Sequence, residues 1–81
     1  MRVTVRFFAS ARDRAGVESV ELVLPDGAGV AELRAEIGKR FASLAPHLDR
    51  TRLAVDLEFA GDETELVDGA EVAVIPPVSG G

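Results

Sequence analysis

From Val3 to Phe7 apolar and polar residues take turns, Val3, Val5 and Phe7 against Thr4 and Arg6, the period-two mark of a half-buried strand. Phe8 extends the run with an apolar residue on the opposite side. Alternation returns at Val20, Leu22 and Leu24, set against Ser19, Glu21 and Val23 and closed by the turn formers Pro25-Asp26-Gly27. Between these runs, Ser10 to Ala15 predicts a single helical turn, capped by Ser10 and ended by Gly16. So short a connection predicts that the two strands pair antiparallel.

The period then changes. Val30, Leu33, Ile37, Phe41 and Leu44 fall on one stripe of a helix, with Glu32, Arg34, Glu36, Lys39 and Arg40 mostly off it. Gly29 is a permissible N-cap, Glu32 can complete half of a capping box, and Pro46 sets the far limit. Gly38 inside the stretch costs about 1 kcal/mol relative to alanine. Leu53, Val55 and Leu57, against Ala54, Asp56 and Glu58, predict a long third strand running toward Phe59. An acidic loop at Gly61 to Glu65 and a minor strand at Leu66-Val67 follow, and Asp68-Gly69 turns into a last strand, Glu71 to Ile75. The expected fold is α+β, a mixed sheet with one main helix packed across one face.

Composition narrows the chemistry. Eighty-one residues with 47% apolar content make one small domain with one core. No run of about eighteen apolar residues and no secretory leader is visible, so no membrane partner is expected and the compartment is the cytoplasm. A net charge of −5 argues against nucleic acid, which needs a concentrated basic surface. Cysteine is absent, which removes disulfides, thiolate metal sites and thiol nucleophiles. His47, the only histidine, sits after Pro46 with no companion at ligand spacing and reads as a surface loop residue. The acidic group Asp62, Glu63 and Glu65 lacks a calcium-loop pattern, so no metal site and no acid–base catalytic set is expected.

The sequence closes on Pro76-Pro77-Val78-Ser79-Gly80-Gly81, directly after the last predicted strand. Prolines cannot extend a hydrogen-bond ladder and favour an extended exit from the sheet. Residues 1–75 therefore read as the domain and 76–81 as an extended tail, reaching on the order of 15 to 20 Å at roughly 3.1 to 3.4 Å per residue. Gly80 and Gly81 make its tip thin enough for a narrow channel and leave the α-carboxylate of Gly81 open to reaction. If the chain handles sulfur, it cannot hold it as a cysteine persulfide, and that carboxylate is the remaining covalent attachment point of suitable chemistry.

Taken in order, Val5-Arg6-Phe7-Phe8-Ala9, Arg12-Asp13-Arg14-Ala15-Gly16, Val30-Ala31-Glu32-Leu33, Leu53-Ala54-Val55, Asp68-Gly69-Ala70-Glu71-Val72 and the tail give a chain that resembles the ubiquitin-like β-grasp sulfur carriers. The likeness is strongest to the family of molybdopterin synthase small subunits, the MoaD family, and covers essentially the whole length. Asp56 stands where that family usually has asparagine; a carboxylate accepts the same hydrogen bonds but donates none. The resemblance implies a carrier for molybdenum cofactor biosynthesis that is not an enzyme by itself and binds no cofactor. An activating adenylyltransferase uses ATP to adenylate Gly81, a sulfur donor converts it to a thiocarboxylate, and the tail inserts into the synthase large subunit to build the dithiolene of the pterin. A heterotetramer with two copies of each subunit is the implied assembly.

Strand parity places Phe8 and Ile75 opposite the helix-facing side chains, where an apolar cluster suits a partner. The resemblance implies that Phe8, Ile75 and Phe59 dock on partners, although the parity of Phe59 is ambiguous; Arg12 is a further candidate for the interface. Two other readings remain open. The same carrier chemistry could serve thiamin, cysteine or transfer-RNA thiolation or protein modification, or the chain could be a β-grasp binding module with an inert tail.

Overall fold

The computed structural model describes residues 1–77, so Val78, Ser79, Gly80 and Gly81 of the expected tail lie outside the described residues. Strand β1 (Arg2–Phe7) leads through helix α1 (Ala9–Ala15) to β2 (Ser19–Val23), and helix α2 (Val30–Arg40) is followed by a 3-10 helix (Ala45–Arg50). Strands β3 (Arg52–Val55), β4 (Glu58–Ala60) and β5 (Glu71–Ile75) complete one five-stranded sheet in the order β2-β1-β5-β3-β4. The predicted antiparallel β1–β2 pair is present, with Val3 opposite Leu22 and Val5 opposite Val20. β5 lies between β1, to which it runs parallel, and β3, to which it runs antiparallel.

Alternation decides the two faces. Val3, Val5 and Phe7 of β1, Leu22 of β2, Leu53 of β3 and Val72 and Val74 of β5 are buried under α2, whose Val30, Leu33 and Ile37 are fully enclosed. The helix is shorter than its stripe predicts. A residue at Pro46 could not donate to the helical ladder and would crowd the preceding turn, so the chain leaves the α-helix at Phe41 and re-forms as the 3-10 helix around Pro46. Phe41 and Leu44 still reach the core from this irregular segment, Leu44 fully buried and Phe41 edge-on to Phe7 with ring centroids 5.0 Å apart. Gly38, costly within a helix, is explained by that packing: a Cβ there would stand 3.1 Å from Leu48 Cδ1 of the 3-10 helix. His47 accordingly sits in this helix, half-buried, rather than in a loop.

Three further expectations change. Ser10 makes no cap; Phe8, extended at φ −120° and ψ 151°, occupies the N-cap of α1, and Gly16 ends the helix in the left-handed region as expected. The long third strand is broken after Val55 by a two-residue turn, Asp56-Leu57, both with positive φ, so that β3 and β4 form a hairpin. Leu66-Val67 is not a strand; the acidic loop instead pairs as an isolated bridge between Glu65 and Gly29. That loop caps α2. The Thr64 and Asp62 carbonyls accept from the Val30 and Ala31 N–H groups at 2.9 and 3.1 Å, and Glu32 Oε2 accepts from the Gly29 N–H at 3.1 Å. A Cβ on Gly29 would fall 2.9 Å from the Thr64 carbonyl oxygen, which is why glycine stands at this N-cap.

Arg34 ties three segments together. Its Nη1 donates to the carbonyls of Leu48 at 2.5 Å and Thr51 at 2.8 Å, and its Nε faces Asp62 at 3.2 Å. Removing it takes the side-chain donor from the Thr51 carbonyl and leaves the Leu48 carbonyl with only the Thr51 N–H. Arg34→Ala is expected to lose about 1 to 3 kcal/mol of stability in urea unfolding, whereas Arg40→Ala, which breaks only an exposed pair with Glu36, should stay within about 0.5 kcal/mol.

Candidate functional site

The sheet face away from α2 is uncovered, and register fixes which side chains share it. Arg6 pairs with Ala73, Ala73 with Ala54, and Ala54 with Phe59, so these four form one cross-strand row. The ambiguity over Phe59 is thereby resolved: the two-residue hairpin turn puts it on the open face, 56% exposed. Ile75 lies opposite Arg52 in the next row and is half-buried. The Arg52 guanidinium stacks over the Phe59 ring at 3.7 Å, linking the two rows by a cation–π contact.

Phe8 reaches the same face because β1 effectively continues by one residue. Its N–H donates to the Val74 carbonyl at 3.2 Å, and Ala9, at φ +50°, then throws the chain away into α1. Phe8 is left 47% exposed at the margin of a shallow hollow of about 330 Å³ whose floor is Ala54 and Ala73. Arg6 and Glu71, paired at 2.9 Å, form one wall. Three of the four expected interface residues, Phe8, Phe59 and Ile75, therefore share the open face. Arg12 stands apart on α1, lining a separate hollow with Asp13, Gly16, Val17 and Glu18, and pairs with the exposed Glu18 at 3.5 Å.

Sequence reasoning missed the small floor, the Arg52 stack and the hairpin tip. Asp56 was the available signal, since aspartate tolerates the left-handed region and suits the first central position of a type I′ turn, but Leu57 after it disguised the turn as strand. Asp56 also binds the hairpin to the sheet: its Oδ1 accepts from the Glu71 N–H at 3.0 Å and its own N–H donates to the Glu71 carbonyl at 2.8 Å.

β5 delivers the chain to the tail. It ends at Ile75, and Pro76, half-buried, and Pro77, exposed, follow outside any strand. No group of three or more His, Cys, Asp or Glu residues able to hold a metal occurs among the described residues. No helix among them is long and apolar enough to cross a membrane.

A five-stranded mixed sheet grasping one helix, with parallel β1 and β5 at its centre, defines the ubiquitin-like β-grasp class. A solved structure from Pyrococcus furiosus, described provisionally as subunit 1 of molybdopterin converting factor, superposes with a TM-score of 0.89 at 36% identity, covering 96% of this chain and 99% of that one. The chain belongs to the ThiS family, whose model matches residues 5–81. It is 37% identical over 83 residues to the molybdopterin synthase sulfur carrier subunit of Chlamydomonas reinhardtii, with all of both chains covered. A complex of subunits 1 and 2 of the molybdopterin-converting factor from Helicobacter pylori contains a similar chain, at 28% identity, a TM-score of 0.73 and full coverage of both. The likeness read from the strand and tail motifs is borne out.

The turn tests how Asp56 substitutes for asparagine. Asp56→Asn keeps an acceptor for the Glu71 N–H and a residue at ease with positive φ, so its unfolding free energy should match the parent within about 0.5 kcal/mol. Asp56→Ala should lose about 1 kcal/mol or more in the same denaturation measurement.

Proposed function

We propose that this chain is the sulfur-carrying small subunit of a molybdopterin synthase, working in the cytoplasm in molybdenum cofactor biosynthesis. The observation that carries the reading is the join between β5 and the tail: a strand buried in the sheet centre passes directly into Pro76-Pro77 and then Val78-Ser79-Gly80-Gly81. Such a join fixes the start of the segment from Pro76 to Gly81 on a rigid body, the position from which it enters a partner's active site. The names of the relatives support the same reading.

A carboxylate is a poor acyl donor because oxide is a poor leaving group. An activating adenylyltransferase supplies ATP, and the Gly81 carboxylate attacks the α-phosphorus, releasing pyrophosphate and forming an acyl-adenylate. A sulfide-equivalent donor then attacks the acyl carbon and expels AMP, leaving a thiocarboxylate on Gly81. That sulfur is the nucleophile delivered to the pterin precursor, and two deliveries build the dithiolene. Acid–base and anion-binding groups belong to the partners; the chain contributes the tail, Pro76 to Gly81, a docking face of Phe8, Phe59 and Ile75, and Arg12 as a separate contact on α1. The working assembly is a heterotetramer of two large subunits, each with one carrier; the Helicobacter pylori complex of subunits 1 and 2 supports the pairing.

Two measurements check this. Incubated with ATP, a competent activating enzyme and sulfide, the chain should exchange one oxygen for sulfur at Gly81 in C-terminal-peptide mass spectrometry, confirmed by thiol-selective alkylation. A chain lacking Gly81 should fold normally and carry no sulfur; sulfur transfer by that truncated chain would refute the assignment. Phe8→Asp and Ile75→Asp should leave the circular dichroism spectrum intact and weaken binding to the large subunit by roughly 10-fold or more. Unchanged affinity would place docking on another surface.

A further inference from the structure

The hairpin tip holds a residue that the alternation reads as strand and that the family motifs do not include. Leu57 is 98% exposed, and its φ is +76°, following Asp56 at φ +48°. A type I′ turn requires positive φ at both central positions and favours asparagine or aspartate followed by glycine. Asp56 satisfies the first preference. Leu57 violates the second, since a residue with a Cβ is penalised in the left-handed region, and its bare side chain recovers no burial in return. Folding does not ask for leucine at the second position. Strain and apolar exposure at one position point to a contact made outside the chain.

The position of Leu57 says what that contact is. It lines the hollow floored by Ala54 and Ala73, with Phe8 also in the lining. Two hydrogen bonds between Asp56 and Glu71, one between backbones and one accepted by the Asp56 carboxylate, hold the tip against β5, so Leu57 is fixed relative to the floor. Arg6 in the wall is engaged by Glu71 at 2.9 Å, so the hollow offers no free guanidinium to an anion. The hollow, apolar at Phe8, Ala54, Leu57 and Ala73 and charged at Arg6, Asp56 and Glu71, adjoins Phe59 and Ile75 across the sheet rows and extends the docking face proposed above.

We propose that Leu57 is a specificity-determining contact for the synthase large subunit, forming with Phe8 a socket, floored by Ala54 and Ala73, that receives one apolar side chain projecting from that subunit. This rests on the docking role assigned to the open face. The socket favours an apolar side chain, because its floor of Ala54 and Ala73 offers only methyl groups while Arg6 and Glu71 in the wall already engage one another.

The test uses the purified chain and the large subunit from the same organism, with affinity read by isothermal titration calorimetry and folding by thermal melting. Leu57→Gly relieves the turn, so it should melt at or above the parent temperature while binding roughly 10-fold more weakly, the scale of one buried leucine side chain. Leu57→Met keeps the apolar reach and should bind within about 2-fold of the parent. Equal affinity of Leu57→Gly and the parent would overturn the proposal, as would a Leu57→Gly chain that melts well below the parent, since the residue would then serve the fold. Failure of the parent chain itself to bind would instead remove the docking role on which the proposal rests.

Discussion

Backbone pairing on both edges of β5 is the constraint from which the functional geometry follows. One edge runs parallel to β1 from Thr4 to Phe7, the other antiparallel to β3 from Arg52 to Val55, and Val72 and Val74 are fully buried between them. Displacing the strand would break two ladders and open the core together, a cooperative cost that no single edge contact could impose. Pro76 therefore leaves the sheet from a fixed point on the body.

The same strands divide labour by parity. Side chains pointing toward α2 are aliphatic and enclosed, while those pointing away are the arginines, alanines and aromatics of the open face. Elements around the core serve this division indirectly. The acidic loop satisfies the first N–H groups of α2, and Arg34 fastens α2 to the 3-10 helix and to the start of β3. Of the acidic residues that in the sequence could pass for a cation site, Asp62 acts through its carbonyl on Ala31 and its carboxylate on Arg34, and Glu65 through its backbone bridge to Gly29.

Most of the fold was legible because it is written in period. Val3, Val5 and Phe7, the α2 stripe and Val72-Val74 carry strong patterns that tertiary packing reinforces. What escaped was local. Leu57 prolonged a strand pattern across a turn, Phe41 and Leu44 kept a helical spacing after the helix had ended, and Leu66 is apolar because it is buried without pairing. The candidate face was half legible: parity exposes Phe8 and Ile75, but the partners of Phe59 depend on a register that only the hairpin decides.

Ala54 and Ala73 carry a less visible consequence. Both face away from α2 at the bottom of the hollow; Ala54 is enclosed there at 7% exposure, whereas Ala73 is half-buried and outside the core cluster, so the core places no limit on its size. A larger side chain at Ala73 would meet open space, and the domain would keep its core and its stability. If this position must stay small, the requirement comes from another molecule, and one strand then answers to two judges: its Val72 and Val74 to the chain's own folding, its Ala73 to the surface it meets. Variation at the first pair would register in any denaturation curve. At the second it would pass unnoticed until the partner was present.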